Sequence, residues 1–538
     1  MLFMSTKKKQ SFLGGAAILA SAVAIVKILG AVYKIPFGNI VGPEGQTYFN
    51  VAYNIYNVLL TISTAGLPLA ISKLTSQAHT QGRENQKRKI FSTAIWLFFA
   101  MGLVGSLLMF FGARQLAAFM NEPLGYWPIR ALAPAVFCVC LLACMRGYTQ
   151  GQGNMTPTAV SQILEALCKL TLGLALAWYF LKLGMGLDIA AAGAILGVTA
   201  GTFLSLLYLI FYLLRHRERR ISPDVPDSSG TLMRQILAIG IPITLSNSAM
   251  SIITLVDTKI VLGRLRDIPA LADSAAELFG QYTFGMNLIN LPPSFVFPVT
   301  MSLIPFAAAA LTRRDHAEAG RIVSSGFRIV AVLAIPAGVG LSVVGGPALV
   351  MLYPKRYADA LAAGPHMRWL GLACIFMCLM NLTNVILQTY GKEMIPIWTV
   401  IAGGVTKVAM NYILVGNPAI NIHGAPVSTL CCYGVIVGLN LIFVWKYSPE
   451  KPHYLQIFVK PVIASALMGG AVWAVHGFVS RALSGRSAYG ANAVATLIGI
   501  LAGVVVYAIL VVAMRILRAE DLKTMPHGER LAKLLHLR

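Results

Sequence analysis

The chain has 538 residues, of which 57% are hydrophobic and only 12% charged, and its mean hydropathy is +0.72. Soluble domains are roughly 45–50% apolar and about 25% charged. The composition therefore excludes a soluble enzyme, a disordered chain and a disulfide scaffold, and indicates an all-α, polytopic integral membrane protein. The formal net charge of +23 reflects 43 Lys and Arg against 20 Asp and Glu; nucleic-acid binding or a positive-inside bias of cytoplasmic loops could each produce it.

Fourteen apolar runs are long enough to cross roughly 30 Å as helix. They lie near residues 12–33, 47–71, 90–111, 128–148, 157–181, 189–214, 232–262, 278–311, 325–353, 366–390, 395–415, 424–446, 457–479 and 491–517. Runs of this length read as helices, because barrel strands are short and alternating. The first run follows Lys7-Lys8-Lys9 and continues to Tyr33, too far for a cleaved leader. With those lysines in the cytoplasm and sides alternating, the cytoplasmic segments collect most of the basic residues. Among them are Arg83, Lys87, Arg88 and Lys89; Arg215, Arg217, Arg219, Arg220 and Arg234; Arg313, Arg314, Arg321 and Arg328; and the tail from Arg515. Both termini are thus expected in the cytoplasm, and nucleic acid drops out as a partner. The eight cysteines lie in apolar stretches without metal-ligand spacing and read as small buried hydrophobes.

Gln150, Gly153 and Lys169 recur at a constant offset as Gln388, Gly391 and Lys407, and Gly82-Arg83 recurs as Gly320-Arg321. Pro68 corresponds to Pro305, and Asn50 to Asn287, after a one-residue gap. Spans 1–6 therefore resemble spans 7–12. Each copy has an even number of spans, so the two share orientation. The expected organisation is an N-lobe (1–214), a cytoplasmic linker (215–235), a C-lobe (236–447), and spans 13–14 with a cytoplasmic tail (448–538).

Ionisable residues deep in spans are costly and face a cavity or a partner. Six qualify: Lys27, Glu165, Lys169, Asp257, Lys259 and Lys407. Lys27 and Lys34 share a face and make a basic strip leading outward; snorkelling of Lys27 to the headgroups is the alternative. Glu165 and Lys169 stand i,i+4 with the acid first, the order favoured for a helical ion pair. Lys407 has Gly403 where its repeat mate has Glu165, so its charge is expected to need an anion from elsewhere; Asn411 shares its face. Asp257 is the candidate for ion coupling, with a pair to a lysine of the other lobe as the alternative. Span 2 carries a polar stripe of Asn50, Asn54, Asn57, Thr61 and Thr64 with Tyr53 beside it. Span 8 has Asn287, Asn290 and Ser294, and span 10 has Asn381, Asn384 and Gln388. Such stripes either glue helices together or line a hydrated cavity; their recurrence in both lobes favours the cavity. Amides, hydroxyls and lysines suit an anionic, hydroxyl-rich ligand. Pro68, Pro292-Pro293, Pro298 and Pro305 mark bending points in spans 2 and 8.

The segments RGYTQGQGNMTPTAVSQILE (Arg146–Glu165), GLPLAISKL (Gly66–Leu74) and VKILGAVYKIPFG in span 1 resemble the polysaccharide-exporter branch of the multidrug/oligosaccharidyl-lipid/polysaccharide flippase superfamily. The likeness is greatest to the stage V sporulation protein B group, with lipid II flippases as relatives. The resemblance spans essentially the whole chain. It implies a two-lobed bundle in the bacterial cytoplasmic membrane that moves lipid-linked cell-wall precursors, with the last two helices forming a groove for the lipid tail. Lys27 stands where lipid II flippases carry an arginine in the same basic-x-x-Gly setting. Tyr33 (beside Lys34), Thr47 and Thr61 stand where those relatives carry further charged groups.

Together these readings predict a flippase for a polyprenyl-pyrophosphate-linked glycan, acting as a monomer among membrane lipids. Lys27, Lys34, Lys169 and Lys407 would neutralise phosphate. Asn50, Tyr53, Asn54, Asn57, Glu165, Asn287, Asn290, Asn384 and Asn411 would complete the substrate site. Two alternatives are a cation-coupled small-molecule exporter of the same fold and a membrane glycosyltransferase or polymerase. No catalytic constellation, metal-ligand spacing or phosphate-binding glycine loop is evident, so neither enzymatic activity nor a cofactor is expected.

Overall fold

The computed structural model describes residues 12–216, 222–448, 450–483, 485 and 487–517. The Lys7–Lys9 cluster, Arg217, Arg219, Arg220 and the tail beyond Leu517 lie outside them. Every regular element among the described residues is a helix. Eleven helical stretches, twelve with one bent pair, are long and apolar enough to cross a membrane. One stretch, Ser21–Thr80, has 60 residues; at about 1.5 Å per residue it is long enough for more than one crossing. Outward-facing Trp96, Trp178, Phe211, Trp473 and Leu501 are more than half exposed, a surface suited to lipid rather than water. The chain is a multi-pass membrane protein.

α1 (Phe12–Thr64) is interrupted at Gly42, whose φ of 71° and ψ of −173° leave the helical region just before Pro43. A side chain there would meet both the left-handed backbone penalty and the Arg356 guanidinium, 2.8 Å from the added carbon. α2 (Leu67–Thr80) starts afresh after Gly66 with Pro68 in its first turn, where a missing N–H costs nothing. The span expected at 47–71 is therefore broken before its end. α3 (Glu84–Phe111), the short α4 (Ala113–Phe119), α5 (Tyr126–Gly151), α6 (Thr156–Lys182) and α7 (Leu187–Arg215) follow, then α8 (Ser229–Arg266). α8 bends by 46° between Leu245 and Ser248. The run expected at 278–311 divides at Asn290 into α9 (Ala275–Ile289) and α10 (Leu291–Thr312), with Pro292-Pro293 in the first turn of α10. Pro298 and Pro305 remain inside α10. α11 (His316–Leu352), the short α12 (Tyr357–Ala363), α13 (Met367–Thr389), α14 (Met394–Leu414), α15 (Gly424–Tyr447), α16 (Tyr454–Ala482) and α17 (Ala488–Ala513) complete the chain.

The chain divides into two compact units. The first holds Tyr48–Leu255 with the residues up to Tyr33; the second holds Lys34–Thr47 with the residues from Val256 on. α8 begins within the polar 215–235 segment, and its first half packs Leu232 and Ile236 against Leu67, Ile71, Ile90 and Phe98. In the first unit α6 and α7 approach closely at small residues: a β-carbon on Gly197 would collide with the Gly173 backbone, the contact that small-residue pairs permit between membrane helices. In the second unit α16 and α17 pack beside α11, with Val344, Met468 and Val472 in one cluster. The Asn492 amide there donates to the Pro347 carbonyl at 2.9 Å. All eight cysteines are free, and seven are buried, as expected of small hydrophobes.

Local conformation tests the repeat. Gly153, between α5 and α6, and Gly391, between α13 and α14, share a left-handed φ of 77° and 69°. Gly82, between α2 and α3, has a φ of 70°; its counterpart between α10 and α11 is Arg314 at 59°. The Gly82-Arg83 mate is therefore Arg314-Asp315 rather than Gly320-Arg321, which lies inside α11. Asp315 caps α11 by accepting from the Glu318 N–H at 2.9 Å.

The described part of the linker docks on the α2–α3 turn. The Asp224 carboxylate accepts from the backbone N–H groups of Asn85 at 3.0 Å and Gln86 at 2.8 Å. It thereby caps α3 from outside that helix. Loss of water around Asp224 opposes its ionisation, yet the Ser222 hydroxyl, these two N–H groups and the Arg83 guanidinium hold its carboxyl below the usual range. A depressed native carboxyl contributes stability above its unfolded-state value, and that contribution disappears as pH falls through the native value. Asp224→Asn is expected to speed amide exchange at Asn85 and Gln86 at neutral pH. In the unchanged protein the same loss of protection appears only below about pH 4.

Candidate functional site

In the first unit the second arm of α1 presents the polar stripe. Val51, Ala52, Ile55 and Tyr56 are buried, whereas Asn50, Tyr53, Asn54, Asn57, Thr61 and Thr64 are each half-buried. Helical periodicity separates these sets, so the amides lie on the more accessible face. Thr61 also bonds to Ser251 Oγ at 2.9 Å.

Lys169 of α6 reaches this arm. Its Nζ lies 3.4 Å from the Tyr53 hydroxyl and 4.4, 5.0 and 5.7 Å from the ring centroids of Tyr53, Tyr33 and Phe49. Phe49 and Tyr53 are stacked at 5.3 Å, giving the ammonium a three-ring aromatic box of the kind that binds cations through ring faces. The expected Glu165–Lys169 ion pair does not form. Glu165 pairs instead with Arg146 of α5 at 3.1 Å, and Arg146 Nε also donates to Ser161 Oγ at 2.9 Å. Arg146 was absent from the expected site residues. The guanidinium fork can serve a carboxylate and a hydroxyl together, whereas a same-helix pair joins only two groups. Among the described residues no carboxylate pairs with Lys169. Lys27 and Lys34 are half-buried on the first arm of α1.

The second unit differs. Lys407 of α14 lies 2.8 Å from the Asp257 carboxylate of α8, with the two side chains only 11% and 7% exposed. The expectation that Lys407 lacks a protein counter-ion therefore fails, because its partner comes from a distant helix rather than its own. Asn411 donates to the other Asp257 oxygen and accepts from the Ser428 hydroxyl of α15. Nearby, the Tyr282 and Thr429 hydroxyls bond at 2.8 Å. Asn287 donates to Gln46 Oε1 at 3.2 Å, and Asn290 donates back to the Met286 carbonyl at 2.6 Å. Asn384 accepts from Asn440 at 2.8 Å, while Asn440 itself accepts from Thr399. These bonds give Asn287, Asn384 and Asn411 interhelical roles, unlike the accessible stripe of the first unit.

At the start of α9, Gln281 Nε2 donates to Glu277 at 3.3 Å and to Asp359 at 3.4 Å. Burial, then the charges of Asp359 and Glu44, raise the Glu277 carboxyl above its usual range. Among the described residues no group of His, Cys, Asp and Glu is arranged to hold a metal.

Long apolar helices with exposed apolar faces and buried polar clusters define a helical membrane protein. The chain belongs to the polysaccharide biosynthesis protein family, whose sequence model matches residues 12–311, within the multidrug/oligosaccharidyl-lipid/polysaccharide superfamily. It is 27% identical over 527 residues to the uncharacterized membrane protein YabM of Bacillus subtilis (strain 168), covering 97% of this chain and 96% of that one. Stage V sporulation protein B of the same organism is 23% identical over 534 residues, covering 96% and 98%. Its lipid II flippase MurJ is 24% identical over 490 residues, covering 87% and 90%. Among solved structures, an inward closed conformation of a lipid II flippase MurJ matches with TM-score 0.68 and 16% identity over 93% of this chain and 98% of that one. An inward-facing multidrug resistance MATE transporter matches with TM-score 0.64 and 16% identity over 79% and 97%.

Proposed function

We propose that this protein is a non-enzymatic flippase that moves a polyprenyl-pyrophosphate-linked cell-wall glycan precursor across the bacterial cytoplasmic membrane by alternating access. The observation that carries this reading is Lys169: a cation within a membrane helix, held by rings rather than by an acid, beside accessible asparagines. Phosphate attracts such a charge, and amides suit sugar hydroxyls. Lys27 is a further cation of the same unit, while Asn50, Asn54, Asn57 and Tyr53 offer the polar contacts. The relative named as a lipid II flippase, matched over most of its length, supports the same class. An inside-negative potential favours outward movement of an uncompensated anion by about 2.3 kcal/mol per charge per 100 mV.

The proposed topology has fourteen crossings, two six-span lobes with two further spans, and both termini in the cytoplasm. Single cysteines at Ser222 and His316, in a cysteine-free background, should resist impermeant thiol reagents in intact cells, and one at Ser487 should react. Labelling of Ser222 from outside would reverse the orientation. The functional test is a proteoliposome assay with fluorescent polyprenyl-pyrophosphate glycans. Purified protein should speed translocation over protein-free vesicles, and native mass spectrometry should find such a lipid retained. Failure to move any of these lipids, with export of cationic drugs instead, would favour the multidrug reading.

A further inference from the structure

We propose that the Lys407 ammonium is a built-in substitute for a mobile cation at Asp257, so that this acid needs no metal-ion gradient, and that removing the ammonium opens a site for a small monovalent cation such as Na⁺. The ammonium lies 2.8 Å from one Asp257 oxygen, while Asn411 donates to the other. Asn411, Ser428, Thr429 and Asp257 are all buried. Oxygen-bearing groups lie about the pair: the Asn411 amide, whose nitrogen donates to Asp257 and whose oxygen accepts from the Ser428 hydroxyl, and the bonded hydroxyls of Tyr282 and Thr429. Hard oxygen donors around one carboxylate suit a hard cation. A buried carboxylate requires a compensating charge, and here the chain carries that charge covalently. An exchangeable ion can enter and leave during a transport cycle; a tethered ammonium is present throughout it. The acid that looked suited to ion coupling is therefore already occupied, and the amide and hydroxyl ladder behind it fixes the carboxylate for the ammonium.

The inference does not depend on the transported substrate, so its test reads the purified protein alone. Thermal unfolding is followed while NaCl replaces choline chloride at constant ionic strength. The unchanged protein should show no saturable Na⁺ response. Lys407→Ala should melt lower in choline and recover along a saturable Na⁺ curve. Asp257→Asn/Lys407→Ala should lose that curve. A saturable Na⁺ stabilisation of the unchanged protein that Asp257→Asn removes would overturn the proposal, as would a folded Lys407→Ala variant indifferent to Na⁺. If Lys407→Ala does not fold in choline, its recovery when purified in NaCl, with Asp257→Asn/Lys407→Ala folding in either salt, supports the proposal; failure in both salts overturns it.

Discussion

Lys169→Met is expected to weaken binding of a polyprenyl-pyrophosphate glycan by roughly 10- to 100-fold and to slow its translocation comparably. One hydrogen bond to a charged group contributes about 1.5–3 kcal/mol, and each 1.4 kcal/mol is a factor of ten. Methionine keeps most of the side-chain length, so the rings of Tyr33, Phe49 and Tyr53 stay covered. The variant also strands no acid, since Glu165 has its own partner in Arg146. Its loss of stability should therefore be limited to the cation–ring attraction, about 0.5–2 kcal/mol. Lys169→Arg should retain much of the binding. Normal affinity in a folded Lys169→Met variant would assign Lys169 to packing alone and remove the main support for a phosphate site in the first unit.

The other large effect concerns stability. Lys407→Met leaves Asp257 buried and uncompensated, and breaking one half of a buried pair costs about 3–5 kcal/mol. Asp257→Asn should cost a similar amount by stranding the ammonium. Asp257→Asn/Lys407→Met should recover most of the loss, because replacing both charges is often close to neutral. Unfolding measurements on the two single variants and the double variant, all in the absence of Na⁺, give the coupling directly. Strictly additive losses would show that the 2.8 Å contact carries no energetic coupling.

The two lysines exchange the roles that their sequence neighbourhoods suggest, for a physical reason. An acid four residues away on one helix is visible in the sequence, so Lys169 looks neutralised and Lys407 looks bare. The ion pairs that form join different helices: Arg146 of α5 with Glu165 of α6, and Asp257 of α8 with Lys407 of α14. A same-helix i,i+4 pair adds only about 0.2–0.5 kcal/mol in an isolated helix and yields to a better-placed partner. Arg146 could have drawn notice as an arginine inside an apolar run, but nothing local marks which acid it meets. The asparagine stripes pose a similar problem. Spacing places Asn50, Asn54 and Asn57 on one face, yet only the packing of neighbouring helices separates an accessible stripe from the interhelical bonds of Asn287 and Asn384.

The overall character was far more legible, because it rests on quantities local in sequence. Long apolar runs are helical, and the breaks fall at Gly66-Leu67-Pro68 and Asn290-Leu291-Pro292, where proline withholds a backbone donor. The two compact units are set by packing, a different quantity from the polar linker. Composition marks where the chain meets water; the division depends on which helices share a core. The extension of α8 past the linker and the assignment of Lys34–Thr47 to the second unit follow from packing partners far along the chain.

That assignment has a consequence for synthesis. Asn39 bonds to the Leu352 carbonyl across 313 residues, Thr47 to the Ala276 carbonyl across 229, and Arg356 to the Ile40 carbonyl across 316. A ribosome adding about 5–20 residues per second releases the early segment roughly 15–60 s before its last partner emerges. During that interval Asn39 and Thr47 keep only their bonds within α1, to the Ile35 and Pro43 carbonyls, and the Ile40 carbonyl lacks its Arg356 donor. Ribosome-stalled nascent chains ending before residue 352 should therefore expose a cysteine placed at Asn39 that the finished protein shields.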